Sequence, residues 1–407
     1  MVHPVETIIV GGGQAGLATS YYLTQRGREH LVLEQAAQAA NAWRNYRWDS
    51  FTLVSPNWTL KLPGAEYRGA DPDGFLPCDQ VVAYFEQYID CCQLPVQFNT
   101  RVTAVERQAA GQGYHVTTDD TIYEAANIVV ATGLYQRPKQ PVASGIPASI
   151  VQLHSSAYRN PQALPPGAVL VVGSAQSGCQ IAEELYQNGR HVYLSVGSSG
   201  RVPRRYRGED IFYWLDMIRF FDRTPDKLPS RQAKFGANPQ LSGKGGGHSL
   251  NLHQFVRDGV TLAGHVRSAQ DGVLNFAADL KESLANTDAF EANLIEQIDH
   301  FIAQSSLEVP PETVPHWRDG YAMEELCSLN LNASDIGTII WAAGYQFDFN
   351  WVKLPVFDED GFPVQQRGVT QLPGLYFIGL PWMYKHKSGL LLGVGDDAQY
   401  LIEQLTA

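Results

Sequence analysis

A strand that runs straight into a glycine turn and then a helix, present twice in one chain, constrains this sequence more than any other feature. Residues 5–10, Val-Glu-Thr-Ile-Ile-Val, form an apolar run suited to a strand buried on both faces. Gly11-Gly12-Gly13-Gln14-Ala15-Gly16 follows at once, and the stretch Leu17 to Gln25 has helical character. This is G-x-G-x-x-G spacing in a strand–turn–helix context. Glycine is needed because the backbone turns tightly and lies against a diphosphate with no Cβ in the way. The unpaired N–H groups of the first helical turn then attract the anionic oxygens. A second strand, His30-Leu-Val-Leu33, ends in Glu34, where a carboxylate accepts hydrogen bonds from ribose hydroxyls and disfavours a 2′-phosphate.

The second cradle spans residues 168–178, a strand Ala-Val-Leu-Val-Val followed by Gly173-Ser-Ala175-Gln176-Ser177-Gly178. A helix from Cys179 to Gln187 and a strand His191-Val-Tyr-Leu194 complete the unit. Ala175 replaces the middle glycine, so one methyl group stands at the point of closest backbone approach and weakens or shifts a phosphate contact there. No carboxylate closes this strand. Instead Arg201, Arg204, Arg205 and Arg207 follow, a cluster suited to bidentate bonds with a 2′-phosphate or, read blandly, a solvated basic loop. Two cradles imply two dinucleotides whose redox ends meet. The first, with its Glu34, suits FAD, and the second suits a nicotinamide. The fold class is therefore α/β with two Rossmann-like dinucleotide-binding domains.

Composition narrows the rest. The chain has 407 residues, 44% of them hydrophobic, and a formal net charge of −12 with no Lys/Arg block, which argues against nucleic acid or an anionic membrane as partner. No apolar run reaches the roughly 20 residues of a membrane span. The first residues, Met-Val-His-Pro-Val-Glu, lack the features of a secretory signal, so a cytoplasmic enzyme is expected. The five cysteines, Cys78, Cys91, Cys92, Cys179 and Cys327, form no C-x-x-C, which removes the redox dithiol of disulfide reductases. His248 and His253 have no third ligand nearby, and no metal is expected.

Further strands stop at small residues: Asn127 to Gly133, ending Ala131-Thr132-Gly133; Ile336 to Gly344; and Leu375 to Gly379. Gly393-Val-Gly395-Asp396-Asp397-Ala398 opens a final helix. With the two cradles, the Trp43-Arg44 pair and the segment Leu153-His154-Ser-Ser-Ala-Tyr158-Arg159, these make the chain resemble the flavin-containing monooxygenase family over nearly its whole length. In the family fingerprint F-x-G-x-x-x-H-x-x-x-(F/Y), His154 and Tyr158 fit, while Ala148 and Ile150 stand where Phe and Gly belong. Val196 and Gly197 stand where NADPH-dependent members carry an arginine, so NADPH is expected with NADH as an alternative.

The resemblance implies NAD(P)H-dependent reduction of FAD, capture of O2 as a C4a-hydroperoxyflavin, and oxygen transfer to a soft nucleophile, an amine or thioether of a small molecule. Baeyer–Villiger oxygenation of a ketone and a non-oxygenating NAD(P)H:flavin oxidoreductase stay open, as does a homodimer. The implied FAD domain comprises residues 1–140 and 331–407. The implied NAD(P)H domain, residues 141–330, is inserted in it and carries a helical insertion from about 209, including an aromatic amphipathic helix over Ile211–Phe221. The implied cofactor contacts are Gly11, Gly13, Gln14, Ala15, Gly16, Glu34, Trp43, Arg44, Ala131, Thr132, Gly133 and Gly379 for FAD. For the nicotinamide they are His154, Gly173, Ala175, Gln176, Ser177, Gly178, Arg201 and Arg204. Asn57 is the candidate catalytic side chain, as a hydrogen-bond donor to the peroxide; its plainer role is that of a turn residue after Pro56.

Overall fold

The computed structural model describes residues 2–109, 113–142 and 144–406. Two sheets with parallel cores organise the chain. In the first, the order is Val96–Gln97, His30–Leu33, Val2–Val10, Ile122–Val130, Tyr114–Thr118 and Val102–Arg107, with Leu375–Phe377 also paired to Ile122–Val130. Its central strands alternate their burial. Ile9, Val32 and Val129 face a layer that includes the Gln14–Gln25 and Val394–Thr406 helices, while Ile8, Leu33 and Ile128 pack with Phe377 on the other side. Coverage of both faces explains why these strands read as continuous apolar runs.

The second sheet has five parallel strands in the order Val151–His154, Ile336–Trp341, Ala168–Val172, Val192–Ser195 and Thr261–Ala263. Ile336–Trp341 therefore lies inside this sheet, between two of its strands, and the crossing back to the first sheet follows Trp341 instead of falling at residue 331. The two crossings run side by side, Arg137–Pro138 pairing antiparallel with Tyr345–Gln346.

Residues 209–330 are less helical than the sequence suggests. Thr261–Ala263 forms an edge of the second sheet, and Val266–Gln270, Val273–Phe276 and Ser328–Asn330 make an antiparallel sheet. The aromatic stretch is an α-helix only over Ile211–Met217, because Arg219 turns left-handed (φ 54°) before the short turn Phe220–Asp222. A long helix, Leu280–Gln304, packs across this region. Among the described residues no helix is long and apolar enough to cross a membrane.

The His154–Asn160 segment ties the halves together. Arg159 donates to the carbonyls of Asn45 and Arg47, Asn160 Nδ2 donates to Asp49, and Tyr158 Oη donates to Glu184 Oε2 at 2.7 Å. Burial and that bond push the Tyr158 phenol far above its ordinary range.

Candidate active site between two glycine turns

Each glycine of the first turn has its own cause. A Cβ on Gly11 (φ 110°) would lie 2.7 Å from the Ala131 carbonyl oxygen, and one on Gly16 would lie 1.9 Å from that of Gly11. Both are dictated by close packing of turn, helix and neighbouring strand. Gly13 differs: a Cβ there would meet nothing within 4 Å. The space in front of Gly13 is open, and it belongs to a cavity of about 780 Å³ that the turn lines.

The helix begins at Gln14, earlier than Leu17, so Gln14, Ala15 and Gly16 form its first turn, with no side chain capping them. Gln14 and Ala15 line the same cavity, whereas Gly16 is buried off its wall against Gly11; an uncapped helix start on a cavity is the arrangement that receives a diphosphate. Glu34, 9% exposed, accepts from the Gly12 N–H at 2.7 Å and the Ala36 N–H at 2.8 Å and lines the cavity. Ala131, Thr132 and Gly133 line it from the adjacent strand end, and Gly379 (φ 81°) from another. Gln14 Nε2 donates to the Gly389 carbonyl at 2.7 Å, which holds the C-terminal segment 386–392 against this helix end.

The second turn repeats the packing logic. A Cβ on Gly178 would lie 1.8 Å from the Gly173 oxygen, and Gly173 (φ 107°) abuts the Ala342 carbonyl. Ala175 is the N-cap residue of the Gln176–Gln187 helix, again with no side-chain cap. Ser177 and Gly178 fall in its first turn, and Gln176 reaches the cavity. Ser174 Oγ accepts from the Gly197 N–H at 2.9 Å, fixing the loop after the Val192–Ser195 strand. Cys179 is fully buried, its thiol pushed far up by desolvation and inert.

Several expected contacts are placed elsewhere. Arg201 is 4% exposed and donates from Nη2 to Asp288 at 2.8 Å and Glu291 at 2.7 Å. Arg204 grips Asp210 through Nε and Nη2 and donates to the Val54 carbonyl from Nη1. Neither is a phosphate-facing cation nor part of a solvated loop; both are structural ion pairs that have taken up the charge. Arg44 turns to Glu86 at 2.6 Å, off the cavity wall. Asn57 is 2% exposed, donates to the Asp71 carbonyl and accepts from the Leu76 N–H, so it builds the 71–76 loop and faces no ligand space. His154 accepts or donates between Ser156 and the Gly344 carbonyl, and burial lowers its pKa. It fastens the two crossings. His248 pairs with Glu183 and His253 with Asp288.

The cavity also presents residues that sequence reasoning missed. Trp43 lines it as expected, but beside it stands Arg47 rather than Arg44. The Arg47 guanidinium lies 5.4 Å from the Trp43 ring, 5.2 Å from Phe51 and 4.9 Å from Tyr135. Ser55 reaches the wall two positions before Asn57, its Oγ 2.7 Å from Thr59 Oγ1. His386 also lines it, stacked on Trp382 with ring centroids 4.6 Å apart. Desolvation, with Arg223 beside it, depresses its pKa to about 4, so the imidazole is neutral at pH 7.

Comparison with known proteins agrees with this architecture. Residues 8–216 match the pyridine nucleotide-disulphide oxidoreductase family. An uncharacterized CzcO-like oxidoreductase of Geobacillus kaustophilus is 33% identical over 408 residues, covering 100% of this chain and 99% of that protein. The probable indole-3-pyruvate monooxygenase YUCCA4 of Arabidopsis thaliana is 30% identical over 407 residues, covering 98% and 89%. The solved flavin-containing monooxygenase from Stenotrophomonas maltophilia shares the fold, with a TM-score of 0.66 at 19% identity over 100% of this chain and 99% of that one. A cavity lined by the first glycine turn and by Gln176 of the second, with Gly173, Ala175, Ser177 and Gly178 off its wall, in a chain matched along its full length by such relatives, means that the chain belongs to the flavin-containing monooxygenase family and is an oxidoreductase of that NAD(P)H-dependent class.

Proposed function

We propose that the enzyme holds FAD on the first glycine turn and NAD(P)H on the second, and uses both with O2 to oxygenate a soft nucleophile of a small molecule, a thioether or an unprotonated amine. One observation carries the reading: a single cavity is lined by Gly13 of the first turn, by Gln176 at the start of the second helix and by apolar side chains such as Phe212, Phe221 and Leu294. Gly13 supports the FAD assignment, since its missing side chain leaves room that no protein atom fills.

When bound, FAD would supply hydride acceptance and activation of dioxygen. The chain's own residues bind, orient and exclude water. Glu34 is suited to the ribose hydroxyls of the first dinucleotide, and the uncapped N–H groups of Gln14 and Ala15 to its diphosphate. Gly173, Ala175 and Gln176 are suited to the second diphosphate. Ser55, on the cavity wall, is suited to the hydrogen-bonding role expected of Asn57. With Arg201 and Arg204 held by carboxylates and no carboxylate at the end of the Val192–Ser195 strand, the second site discriminates weakly between NADPH and NADH.

The test is direct. The purified protein should take up FAD, be bleached anaerobically by NADPH or NADH, and then deliver label from isotopic dioxygen into the sulfoxide of an added aryl thioether. Release of hydrogen peroxide alone across a panel of thioethers and amines would make it an oxidase, and a protein that takes up no FAD would end the proposal.

A further inference from the structure

The loop after the Val192–Ser195 strand stands where a dinucleotide on the second turn sets its adenosine ribose. The strand ends beside that turn, the Gly173 N–H donating to the Ser195 carbonyl at 3.0 Å. The loop itself, Val196-Gly197-Ser198-Ser199-Gly200, holds no charged residue. Arg201, just beyond it, is bound to Asp288 and Glu291. Any cation for a 2′-phosphate there has to come from another element.

The sheet order supplies one. Thr261–Ala263 is the next parallel strand, with Ala263 in register with Ser195, so residues 264–267 leave the sheet at the same end as 196–199. Two bonds fix that junction: the Val196 N–H donates to the Ala263 carbonyl at 2.8 Å, and Ser195 Oγ donates to the Gly264 carbonyl at 2.8 Å. Apart from its chain neighbours, a Cβ on Gly197 would meet a single heavy atom within 4 Å, His265 Nε2 at 3.9 Å. The space over Gly197 is otherwise open, and neither residue lines the large cavity.

The ring is held from its other side. Asp279, at the start of the Leu280–Gln304 helix, accepts from the His265 backbone N–H at 3.0 Å and lies 2.9 Å from Nδ1. Gly264 makes room for this, since a Cβ there would lie 2.3 Å from Asp279 Oδ1. Burial alone would raise the Asp279 carboxyl, but bonds from His265 and the charge of Arg267 hold it below the usual range, so it accepts and does not donate. Nδ1 therefore carries a hydrogen, and in the neutral ring Nε2 is left as a bare acceptor beside Gly197. A second proton turns Nε2 into a charged donor. The charged groups around the ring are Asp279 and, from its own strand, Arg267, whose Nη2 lies 3.9 Å from the same carboxylate. Residues 196–200 present none, and among the described residues no hydrogen bond or ion pair joins the ring to Lys281 or Glu282 of the helix.

We propose that His265 Nε2 is a contact for the 2′-phosphate of NADPH and makes the choice between NADPH and NADH depend on pH, NADPH gaining as the ring takes its proton. The inference rests on the reading of the second turn as the nicotinamide site, and it gives that site's weak discrimination a direction. An imidazole changes charge between about pH 5 and about pH 8. The 2′-phosphate loses part of its own charge toward about pH 6, which works the other way, so a gain on acidification belongs to the protein.

Calorimetry on the FAD-loaded enzyme with adenosine 2′,5′-bisphosphate and AMP tests this without turnover. The ratio of their affinities should rise about fivefold in favour of the bisphosphate between about pH 8 and about pH 6. In His265→Gln and His265→Phe, substitutions of a side chain 46% exposed and therefore tolerant, the ratio should stay level or fall. A ratio that does not rise in the wild-type enzyme, or that rises as much in either folded variant, would overturn the assignment and leave the nicotinamide reading standing. Binding of neither nucleotide would remove the nicotinamide reading and the assignment with it.

Discussion

Tyr158 Oη donates to Glu184 Oε2 at 2.7 Å, and Ser50 Oγ donates to the other oxygen of the same carboxylate at 2.5 Å. One buried carboxylate on the second helix thereby holds both the 154–160 segment and the loop that carries Trp43 and Arg47 into the cavity. Tyr158→Phe leaves Glu184 with a single strong donor in a buried setting. The expected loss is about 1–3 kcal/mol, read from urea denaturation of the holoenzyme against wild type.

The first-turn glycines separate packing from binding. Gly13→Ala adds a methyl group that meets no protein atom, so the apoprotein should unfold within about 1 kcal/mol of wild type while FAD affinity falls about tenfold or more. Gly16→Ala drives a methyl group onto the Gly11 carbonyl and should cost about 1–3 kcal/mol or more of stability with or without flavin. Chemical denaturation paired with flavin titration distinguishes the two. Equal behaviour of the variants would remove the argument that Gly13 faces a ligand.

Arg201 offers a check on the nicotinamide site. Arg201→Met breaks a buried pairing with Asp288 and Glu291 and should destabilise by about 3–5 kcal/mol. The ratio of kcat/KM for NADPH over NADH should stay within about twofold, since Arg201 is buried in its ion pairs off the cavity wall. A collapse of that ratio at retained stability would restore Arg201 as a 2′-phosphate ligand.

His386 makes stability depend on acid. Its pKa is depressed from 6.5 to about 4 in the folded chain, so the unfolded chain takes the proton first as pH falls. Its contribution is complete above about pH 6.5 and is lost progressively toward pH 4, up to about 3 kcal/mol. His386→Gln should therefore flatten the fall in unfolding free energy between about pH 7 and about pH 5, measured by denaturant titration. An unchanged slope would mean that the ring titrates normally.

The two cradles were legible because glycine spacing, strand and helix are all local. Residues 5–16 and 168–178 announce their turns within a dozen positions, and the structure differs chiefly by starting each helix three residues earlier. The strand at 336–341 was legible as a strand but not as to its sheet. Apolar runs ending in small residues serve both sheets alike, and only pairing with Val151–His154 and Ala168–Val172 decides membership. The arginines misled for a related reason. The partners of Arg201 lie 87 and 90 residues downstream, so a sequence reads an unattended cation where the fold has a neutralised one. Ser55 and Asn57 differ by two positions in a loop without periodicity, and no local signal tells which one faces inward.

The side-by-side pairing of Arg137–Pro138 with Tyr345–Gln346, fastened by His154 to the Gly344 carbonyl, has a mechanical consequence. Two independent tethers would let the halves slide, shear or swing in any direction. Laced together, they form one two-stranded ribbon, so the two glycine turns take their mutual orientation from a single joint whose strands cannot bend separately without breaking its ladder.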